Sequence, residues 1–168
     1  MKRGWSIAAA LVITVVMALL GAGRLGLLSG TPPTDLGVHD GRLKAPSPTA
    51  NSVSSQARMH TKSRPLASAR INPLPLRGDA EASISRLRSV LEATEGVRIV
   101  QAAPDYLRAE ARTRWLGFVD DLEFWLDPVD GVIHLRSASR LGGRDFGINR
   151  ERIEAIRARY FGLRPKPD

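Results

Sequence analysis

Hydrophobic and polar positions divide the chain into three stretches of different character. Positions 4–23 form an uncharged, mostly apolar run. Positions 30–70 are rich in Gly, Pro, Ser and Thr, contain no aromatic residue and show no lasting hydrophobic period, which is typical of an extended segment. From Ile71 onward, apolar residues recur with the periods of helices and strands. The pattern therefore predicts an apolar N-terminal helix, an extended arm and one folded domain.

The folded stretch begins with a short strand and a helix. Residues 71–76, I-N-P-L-P-L, predict an edge strand, because two prolines cannot donate hydrogen bonds to a central ladder. Asp79 is placed to cap a helix that extends to about residue 94. The apolar stripe of this helix has the spacing i, i+4, i+7, i+11 and consists of Ala80, Ile84, Leu87 and Leu91.

Four strands and a second helix follow. Alternation of apolar and polar residues places the strands at 97–103, 106–113, 121–127 and 132–140. The short links A-P-D and P-V-D-G are typical of hairpins, so neighbouring strands are expected to pair antiparallel. Their core-facing residues are Val97, Ile99, Leu107, Ala109, Ala111, Leu122, Phe124, Leu126, Ile133 and Leu135. The last helix is predicted to start with Asn149 as its N-cap and to end near residue 161.

These elements predict an α+β fold, in which a two-layer sandwich follows an N-terminal transmembrane helix. The sandwich consists of a mostly antiparallel sheet of four to five strands with two helices on one face, in the order β-α-β-β-β-β-α. The predicted division of the chain is a membrane anchor or signal peptide at 1–24, a linker at 25–35, an extended arm at 36–70, the α+β domain at 71–164 and a tail at 165–168.

The N-terminal run fits a membrane-spanning helix. As a helix it is about 30 Å long, which matches the hydrocarbon core of a bilayer. Lys2 and Arg3 precede it, so the positive-inside rule places the N-terminus in the cytoplasm and the rest of the chain outside. The alternative is a cleaved signal peptide, with a cleavage site at residues 21–23 or at Ser29 and Gly30. The expected partner of residues 4–23 is the lipid bilayer.

The net charge of +8 comes mainly from the N-terminal part of the chain. Residues 1–70 contain 9 of the 25 Lys and Arg residues and 2 of the 17 Asp and Glu residues, so the remaining 16 and 15 leave the domain nearly neutral. A nucleic-acid-binding domain carries its basic surface on the fold itself, so we expect no nucleic acid as a partner. The absence of cysteine excludes disulfides, thiolate zinc sites and a cysteine nucleophile.

Sequence patterns predict neither a metal site nor a cofactor. G-A-G-R-L-G at 21–26 matches a dinucleotide-binding pattern, but no predicted strand precedes it and no amphipathic helix follows. Asp120 and Asp121 are adjacent in a strand and point to opposite faces, so they are expected to pair with arginines and not to share an ion. His134 has no second histidine at ligand spacing and is expected to be exposed or hydrogen-bonded.

Charged side chains occupy the outward face of the predicted sheet. This face carries Arg108, Glu110, Arg112, Glu123, Trp125, His134, Arg136 and Arg140. Opposite charges on neighbouring strands are typical of a solvated sheet face. The alternative interpretation is a shallow binding surface, in which Trp125 and the arginines contact an anionic or sugar-like group.

The connection at 136–150 is a candidate binding site. Its sequence R-S-A-S-R-L-G-G-R-D-F-G-I-N-R ends at a helix N-terminus, where Arg150 and Arg152 are unfavourable unless an anion compensates them. The predicted anion-binding residues are Arg136, Arg140, Arg144, Asn149 and Arg150. The alternative is compensation within the protein, by Asp145, Glu151, Asp120 or Asp121. The predicted structural polar network consists of Asp120, Asp121, Asp145, Asn51 and Ser54.

Several blocks of the sequence resemble a known family. They are L-G-V-H-D-G-R-L at 36–43, F-V-D-D-L-E-F-W-L-D at 118–127, V-I-H-L-R-S-A-S-R at 132–140 and D-F-G-I-N-R at 145–150. In this order they resemble the bacterial domain-of-unknown-function family numbered 1499. The resemblance implies no activity, but it implies that residues 36–57 belong to the domain, with an ordered segment from Asn51 to Gln56. A bacterial source and the apolar run together predict a single-pass inner-membrane protein with a periplasmic domain.

The family's form of the segment before Gln56 resembles P-C-P-x-S-P-N-C-V-S-S-Q, with two cysteines. In this chain Ser52 replaces the second cysteine, and the first falls at Pro46 or Ser47. The loss of both together is what a disulfide between them implies, because one leftover thiol is a liability in an oxidising compartment.

The sequence supports two main functional hypotheses. The first is an uncharacterised membrane-anchored envelope protein whose domain binds an anionic ligand or a protein partner at 136–152. The alternative is an envelope hydrolase that uses Asp120 or Asp121 with Ser137 or Ser139. An enzyme requires a concave pocket in which a carboxylate and a nucleophile converge. A purely structural interaction module would instead expose an apolar patch.

Overall fold

Six strands and three helices form the part of the chain that a computed structural model describes, residues 2–63 and 65–163. The helices are α1 (Lys2–Arg24), α2 (Ala80–Glu92) and α3 (Ile148–Tyr160). The strands are β1 (Ser52–Ser54), β2 (Leu74–Pro75), β3 (Val97–Ala102), β4 (Tyr106–Arg112), β5 (Val119–Asp127) and β6 (Val132–Ser139). Short 3-10 helices occur at Ala57–Met59, Thr61–Ser63 and Ala67–Ala69. The tail predicted at 165–168 lies outside the described residues.

All six strands belong to one antiparallel sheet with the order β1-β6-β5-β4-β3. The two-residue strand β2 also pairs with β6, opposite Val132 and Ile133, so β1 and β2 follow one another along a single sheet edge. The predicted α+β fold is confirmed, and β1 is a strand that the predicted order lacks. Periodicity does not reveal β1, because the strand has three residues that are all buried.

The hydrophobic core lies between the sheet and the helices α2 and α3. The sheet contributes Val53, Leu74, Leu107, Leu122, Phe124, Ile133 and Leu135, and the helices contribute Ile84, Leu87, Leu91, Ile153, Ile156 and Tyr160. Burial of each large side chain stabilises the fold by about 1.5–3 kcal/mol relative to an exposed one. The core face predicted from strand alternation is confirmed, although Val97 and Ile99 of the edge strand β3 are only half-buried.

The two C-terminal helices begin in different ways. Asp79 caps α2 as predicted, because its Oδ1 accepts a hydrogen bond of 2.7 Å from a backbone N–H of the first turn. The predicted N-cap of α3 is wrong: the helix begins at Ile148, so Asn149 lies inside the first turn. The carboxylate of Asp145 takes the capping role, because it accepts hydrogen bonds from the N–H groups of Gly147 and Asn149.

The arm crosses the face of the sheet that lies opposite the helices. Its Leu43 packs against Tyr106 and Trp125 and is 1% exposed. Gln56 fixes the path of the arm, because its side chain accepts a hydrogen bond from the N–H of Leu43 at 2.8 Å and donates to the carbonyl of Gly41 at 3.1 Å. The polar face of the sheet was expected to be solvated or open to a ligand. The arm instead covers much of this face, so that Glu123, His134 and Arg136 are buried, while Arg112 remains exposed.

Helix α1 is long and apolar enough to cross a membrane. Its segment Ile7–Arg24 has a mean hydropathy of 2.1, and only 6% of that segment is buried, so α1 is not a core helix. A signal sequence passes the same test of length and composition, so these two properties do not distinguish it from an anchor. The helix meets the domain at the β4–β5 loop, where a Cβ atom on Gly23 would lie 2.6 Å from the carbonyl oxygen of Leu116.

Candidate functional site

Three arginines and three carboxylates form a charged network beneath the arm. Alternate residues of a strand face the same side. This brings together Arg108 and Glu110 of β4, Asp121 and Glu123 of β5, Arg136 of β6, and Arg140, which directly follows β6. Their formal charges sum to zero. The side chains of Asp121, Arg136 and Arg140 are at most 5% exposed. Such charges remain buried only when they are paired with good geometry.

Arg140 and Asp121 form the centre of this network. Arg140 donates two hydrogen bonds of 2.8 Å to Asp121, from Nε and Nη2, and Arg108 contacts the same carboxylate at 3.4 Å. The Nη2 atom of Arg140 also donates to Glu110 at 2.6 Å. Burial raises the pKa of Glu110, but the hydrogen bond and charge of Arg140 outweigh it and hold this pKa below its usual range. Both carboxylate oxygens of Asp121 thus accept hydrogen bonds from Arg140, Oδ2 from Nε and Oδ1 from Nη2.

Glu123 is a second centre of the network and is fully buried. Its Oε2 accepts a hydrogen bond from Arg136 at 3.2 Å, and its Oε1 accepts from the Tyr106 hydroxyl at 2.9 Å and from the N–H of Gly37 at 2.8 Å. Burial, followed by the charge of Glu123, raises the pKa of Tyr106. Removal of one partner from a buried ion pair costs about 3–5 kcal/mol. Arg136 and Arg140 therefore hold the fold and do not present their charges to an external anion.

Asn149 joins α3 to the opposite face of the sheet. Its buried Nδ2, which has two hydrogens to donate, lies within hydrogen-bond distance of three acceptors: the carbonyl of Asn51 at 3.1 Å, the Ser139 hydroxyl at 2.9 Å and Asp145 at 2.8 Å. Its Oδ1 accepts a hydrogen bond from the Ser137 hydroxyl. This amide is the central residue of a second polar network, which ties the arm, the sheet and α3 together.

Both arginines in the first turn of α3 have partners inside the protein. Arg152 forms an ion pair of 2.7 Å with Asp120, and Arg150 donates to the carbonyl of Ser68 at 3.0 Å. Burial raises the pKa of Asp145, but hydrogen bonds from the backbone at the start of α3 outweigh it and hold this pKa below its usual range. The charge of Arg152 is therefore compensated by Asp120, whereas Arg150 is held by neutral carbonyl groups.

The segment from Asn51 to Gln56 lies on the sheet edge. Its strand β1 pairs with β6, and the Ser54 hydroxyl accepts a hydrogen bond from the N–H of Gln56 at 3.2 Å. The side chain of Ser52 accepts a hydrogen bond from the N–H of Ser47 at 2.9 Å. Position 52 is therefore adjacent in space to position 47, which is one of the two positions, 46 and 47, at which the resemblance implies the first cysteine.

The residues of the hydrolase alternative are not brought together. Asp121 lies beneath the arm, whereas Ser137 and Ser139 face α3. Asp120 shares the face of the serines, but it is neutralised by Arg152 at 2.7 Å. The Ser137 hydroxyl donates to an amide oxygen and not to a base. Within the described part of the chain, neither serine therefore has the general base that a nucleophilic hydroxyl needs.

A groove of about 370 Å³ lies between the arm and the start of α3. It is lined by Ala50, Ser52, Val53, Ser68, Arg144, Asp145, Phe146, Gly147 and Arg150. The N–H of Asp145 donates to the carbonyl of Ala50 at 3.0 Å, so the loop before α3 and the arm are fixed to each other. Of the five predicted anion-binding residues, Arg144 and Arg150 line this groove, whereas Arg136, Arg140 and Asn149 belong to the two buried networks.

Phe146 has an unusual backbone conformation at this groove. Its φ angle is 55°, a left-handed value that costs an L-residue about 1–2 kcal/mol. Its side chain is 85% exposed, so the free energy of burial does not offset the backbone strain. Strained residues of this kind are often found at functional positions. Nothing in the residue pattern singles out Phe146, because a backbone angle is not visible in it.

A second groove of about 410 Å³ lies on the other side of Arg150. It is lined by Ser54, Ser55, Ala57, Arg58, Arg70, Ile71, Asn72, Pro73, Arg150 and Glu154. Because the two grooves share Arg150, they form one surface along the arm and α3. We call this surface the basic groove and define it by Arg58, Arg70, Arg144, Phe146 and Arg150. Arg58 and Arg70 were not predicted from the sequence, because only the path of the folded arm brings them to this surface.

Three polar residues also meet at the β5–β6 turn. The Nε2 atom of His134 lies 3.7 Å from Asp127 Oδ2 and 3.8 Å from Asp130 Oδ2. Burial lowers the pKa of His134, and the two carboxylates oppose that effect. His134 looks isolated in the sequence, because both aspartates come close only when the turn reverses the chain.

Comparison with known proteins gives a family and no activity. No curated protein matches the chain. The model of a family described as "Protein of unknown function (DUF1499)" matches residues 42–160, which is well over half of the chain. The matched region contains β1 to β6, α2 and α3, together with both buried networks and the basic groove. The chain therefore belongs to the DUF1499 family.

Proposed function

We propose that this protein is a single-pass bacterial inner-membrane protein whose periplasmic domain binds an anionic, partly apolar ligand in the basic groove. The observation that carries the proposal is the exposed side chain of Phe146, which is held in a left-handed backbone conformation beside Arg144 and Arg150. Burial within the fold does not offset this backbone strain, because the side chain of Phe146 is exposed. Contact with a ligand would supply the missing stabilisation.

The contact between α1 and the domain supports an uncleaved anchor. Gly23 and Gly117 let the two backbones approach closely, since a Cβ atom on Gly117 would lie 2.7 Å from the carbonyl oxygen of Gly23. Cleavage at residues 21–23 would remove this packing. Trp115 is 68% exposed and lies beside Met17 of α1. Tryptophan at the end of a membrane span is typical of the interface between lipid and water.

The orientation follows from the positive charges around α1. Lys2 and Arg3 precede the apolar run, which favours a cytoplasmic N-terminus. The domain then lies on the outer side of the inner membrane. This placement agrees with a chain that contains no cysteine, because an oxidising compartment makes an unpaired thiol a liability.

The chemistry of the basic groove indicates the class of ligand. Arg144 is exposed, so its guanidinium is accessible to a phosphate or carboxylate group, which a planar guanidinium binds through two hydrogen bonds. The exposed ring of Phe146 supplies apolar surface in the same groove. An amphiphile with an anionic head and a short apolar part matches both features. The groove is open, so binding is expected to be modest in strength.

The test uses the full chain in a nonionic detergent, titrated with hexyl phosphate. We expect binding to the wild type, and binding weaker by about tenfold in Arg144→Ala, because a charge-assisted hydrogen bond contributes about 1.5–3 kcal/mol. Arg88→Ala is the matched control, since Arg88 is an exposed arginine on α2 outside the basic groove. Equal affinity in the wild type and Arg144→Ala would overturn the proposed site.

A second variant separates strain from binding. Asparagine tolerates the left-handed conformation, so Phe146→Asn is expected to raise the free energy of unfolding by about 1 kcal/mol while it weakens hexyl phosphate binding. Titration with inorganic phosphate measures the charged part of the ligand alone and is expected to be insensitive to Phe146→Asn. If the variant binds hexyl phosphate as well as the wild type, Phe146 has no role in ligand contact.

A further inference from the structure

Three acceptor groups face one another at the β5–β6 turn. Asp127 ends β5, Asp130 lies in the turn and His134 lies on β6. The Nε2 atom of His134 is 3.7 Å from Asp127 Oδ2 and 3.8 Å from Asp130 Oδ2, and one ligand atom from each of the three residues lies within 4.8 Å of the others. These separations are too long for hydrogen bonds. The three side chains therefore surround a common position that none of the three occupies.

The imidazole of His134 is buried with one nitrogen unsatisfied. Its side chain is 5% exposed, and among the described residues its Nε2 atom has no hydrogen-bond partner. The Nδ1 atom lies 3.0 Å from the Ser55 hydroxyl. That hydroxyl accepts from the N–H of Leu135 at 2.9 Å and donates to its carbonyl at 3.3 Å. In the tautomer in which this hydroxyl accepts from Nδ1–H, the free lone pair of the neutral ring lies on Nε2.

The other ligand groups are also oriented by their surroundings. Asp127 Oδ1 accepts hydrogen bonds from the N–H groups of Val129 at 2.8 Å and Asp130 at 3.2 Å, which leaves Oδ2 directed toward His134. The ring of Trp125 stacks on the imidazole at 5.7 Å and 23°, and so fixes its plane. The side chain of Asp130 is 55% exposed, which provides a path from solvent.

A positive ion at the centre would reverse an unfavourable arrangement. An unpartnered buried polar atom costs about 1–3 kcal/mol. In that tautomer the lone pair of Nε2 faces two carboxylates. Ligand atoms bound at about 2.1 Å to one tetrahedral ion lie about 3.4 Å apart. The two distances from His134 Nε2, 3.7 and 3.8 Å, come within a few tenths of an ångström of this value, and the ligand atoms of the two carboxylates lie within 4.8 Å of each other. Oriented nitrogen and oxygen ligands at this spacing are what a transition-metal site requires.

We propose that Asp127, Asp130 and His134 bind a divalent transition-metal ion of the Zn²⁺ class. The imidazole nitrogen favours such an ion over Mg²⁺ and Ca²⁺, which prefer all-oxygen ligands. Three protein ligands leave a coordination position for water on the exposed side of Asp130. No metal site was expected from the sequence, because Asp120 and Asp121 point to opposite faces of a strand and His134 has no second histidine at ligand spacing. The β5–β6 turn brings the carboxylates of Asp127 and Asp130 to the imidazole of His134.

The test uses equilibrium dialysis of the full chain, in detergent and without a histidine tag, against Zn²⁺ or Mg²⁺. We expect about one tightly bound Zn²⁺ per chain and little Mg²⁺. Affinity for Zn²⁺ should fall by more than about tenfold in His134→Ala and in Asp130→Asn. The controls are His39→Ala and Asp105→Asn, which replace exposed residues of the same types outside the turn.

Thermal unfolding separates loss of the site from loss of the fold. Asp130 is half exposed and its side chain makes no hydrogen bond among the described residues, so Asp130→Asn is expected to fold normally. Zn²⁺ should raise the Tm of the wild type and of both controls but not of Asp130→Asn. The proposal is overturned if the wild type binds no Zn²⁺, if it prefers Mg²⁺, or if Asp130→Asn and His134→Ala bind Zn²⁺ as well as the wild type does.

Discussion

Burial separates the arginines of this domain into two groups with different roles. Arg136 and Arg140 are about 5% exposed or less and are paired with Glu123 and Asp121. Arg144 is exposed, and its guanidinium reaches solvent at the groove. A change such as Arg140→Ala would leave buried carboxylates unpaired and would cost about 3–5 kcal/mol of stability. Arg144 is therefore the better position at which to examine ligand binding.

The pKa of Asp145 predicts a pH dependence of stability. Burial raises this pKa, but hydrogen bonds from the start of α3 outweigh burial and lower it from the ordinary value near 3.8. A carboxylate with a lowered pKa in the folded state stabilises the protein above its ordinary pKa, and this contribution is lost as the pH falls through the lowered value. Asp145→Asn is therefore expected to reduce the free energy of unfolding by about 1 kcal/mol at pH 7.

Urea denaturation of the wild type and Asp145→Asn between pH 7 and pH 3 measures this effect. The stability difference between the two proteins should be constant above about pH 5 and should shrink below about pH 4. Asp105→Asn serves as the control, since Asp105 is exposed and its side chain accepts no hydrogen bond from the described residues. A difference that stayed constant down to pH 3 would contradict the assigned role of Asp145.

At the scale of secondary-structure elements, the arm acts as a covering layer. The strand β1 pairs with β6, and Leu43 closes the far side of the sheet over Tyr106 and Trp125. The charged network beneath the arm is thereby removed from water, which strengthens its ion pairs. The same arm supplies one side of the basic groove. One extended segment thus stabilises the sheet and builds the candidate site.

The contact between α1 and the β4–β5 loop can be tested with a matched pair of glycine variants. A Cβ atom on Gly23 would lie 2.6 Å from the Leu116 carbonyl oxygen, whereas one on Gly21 would meet no atom within 4 Å. Gly23→Val should therefore separate the helix from the loop, and amide hydrogen exchange at residues 113–118 should rise several-fold in detergent. Gly21→Val should leave it unchanged. Equal exchange in both variants would show that the contact does not hold in solution.

For the whole molecule, the membrane location proposed above rests on α1 and on the residues of the domain that lie beside it. Trp115 and Arg114 lie at the end of α1, with the guanidinium of Arg114 5.2 Å from the centre of the Trp115 ring. Aromatic and basic side chains are typical of the interfacial region of a membrane. The proposed location of the domain therefore depends on the direction in which α1 crosses the bilayer.

A reporter enzyme that is active only outside the cytoplasm tests this direction. Fused after Arg70, it is expected to be active, because Lys2 and Arg3 keep the N-terminus inside. The same fusion without residues 4–23 should be inactive. The intact mass of the exported protein distinguishes an anchor from a signal peptide. An inactive full-length fusion would contradict the proposed periplasmic location. A mass that lacks about the first 20 residues would show that the N-terminal helix is cleaved and is not an anchor.

Local patterns in the sequence were sufficient for most of the elements. Period-2 alternation located β3 to β6 within two residues at each end, and the helical period located α2. The N-cap Asp79 was also predicted correctly. Asn149 was not, because Asp145 reaches the start of α3 from outside the helix. Such a cap depends on a loop conformation that the residue types do not specify.

The sequence by itself determined what depends on neighbours along the chain: the apolar span of α1, the strand alternation that sets the core face, and the pairing of opposite charges on adjacent strands. The tertiary structure alone decided what depends on residues far apart in sequence. The arm covers the charged face and so turns Arg136 and Arg140 into structural residues. The approach of the arm to α3 forms the basic groove, and the β5–β6 turn joins His134 to two aspartates. The physical reason is that hydrophobic periods are local properties, whereas burial and ligand geometry arise only when the chain folds back on itself.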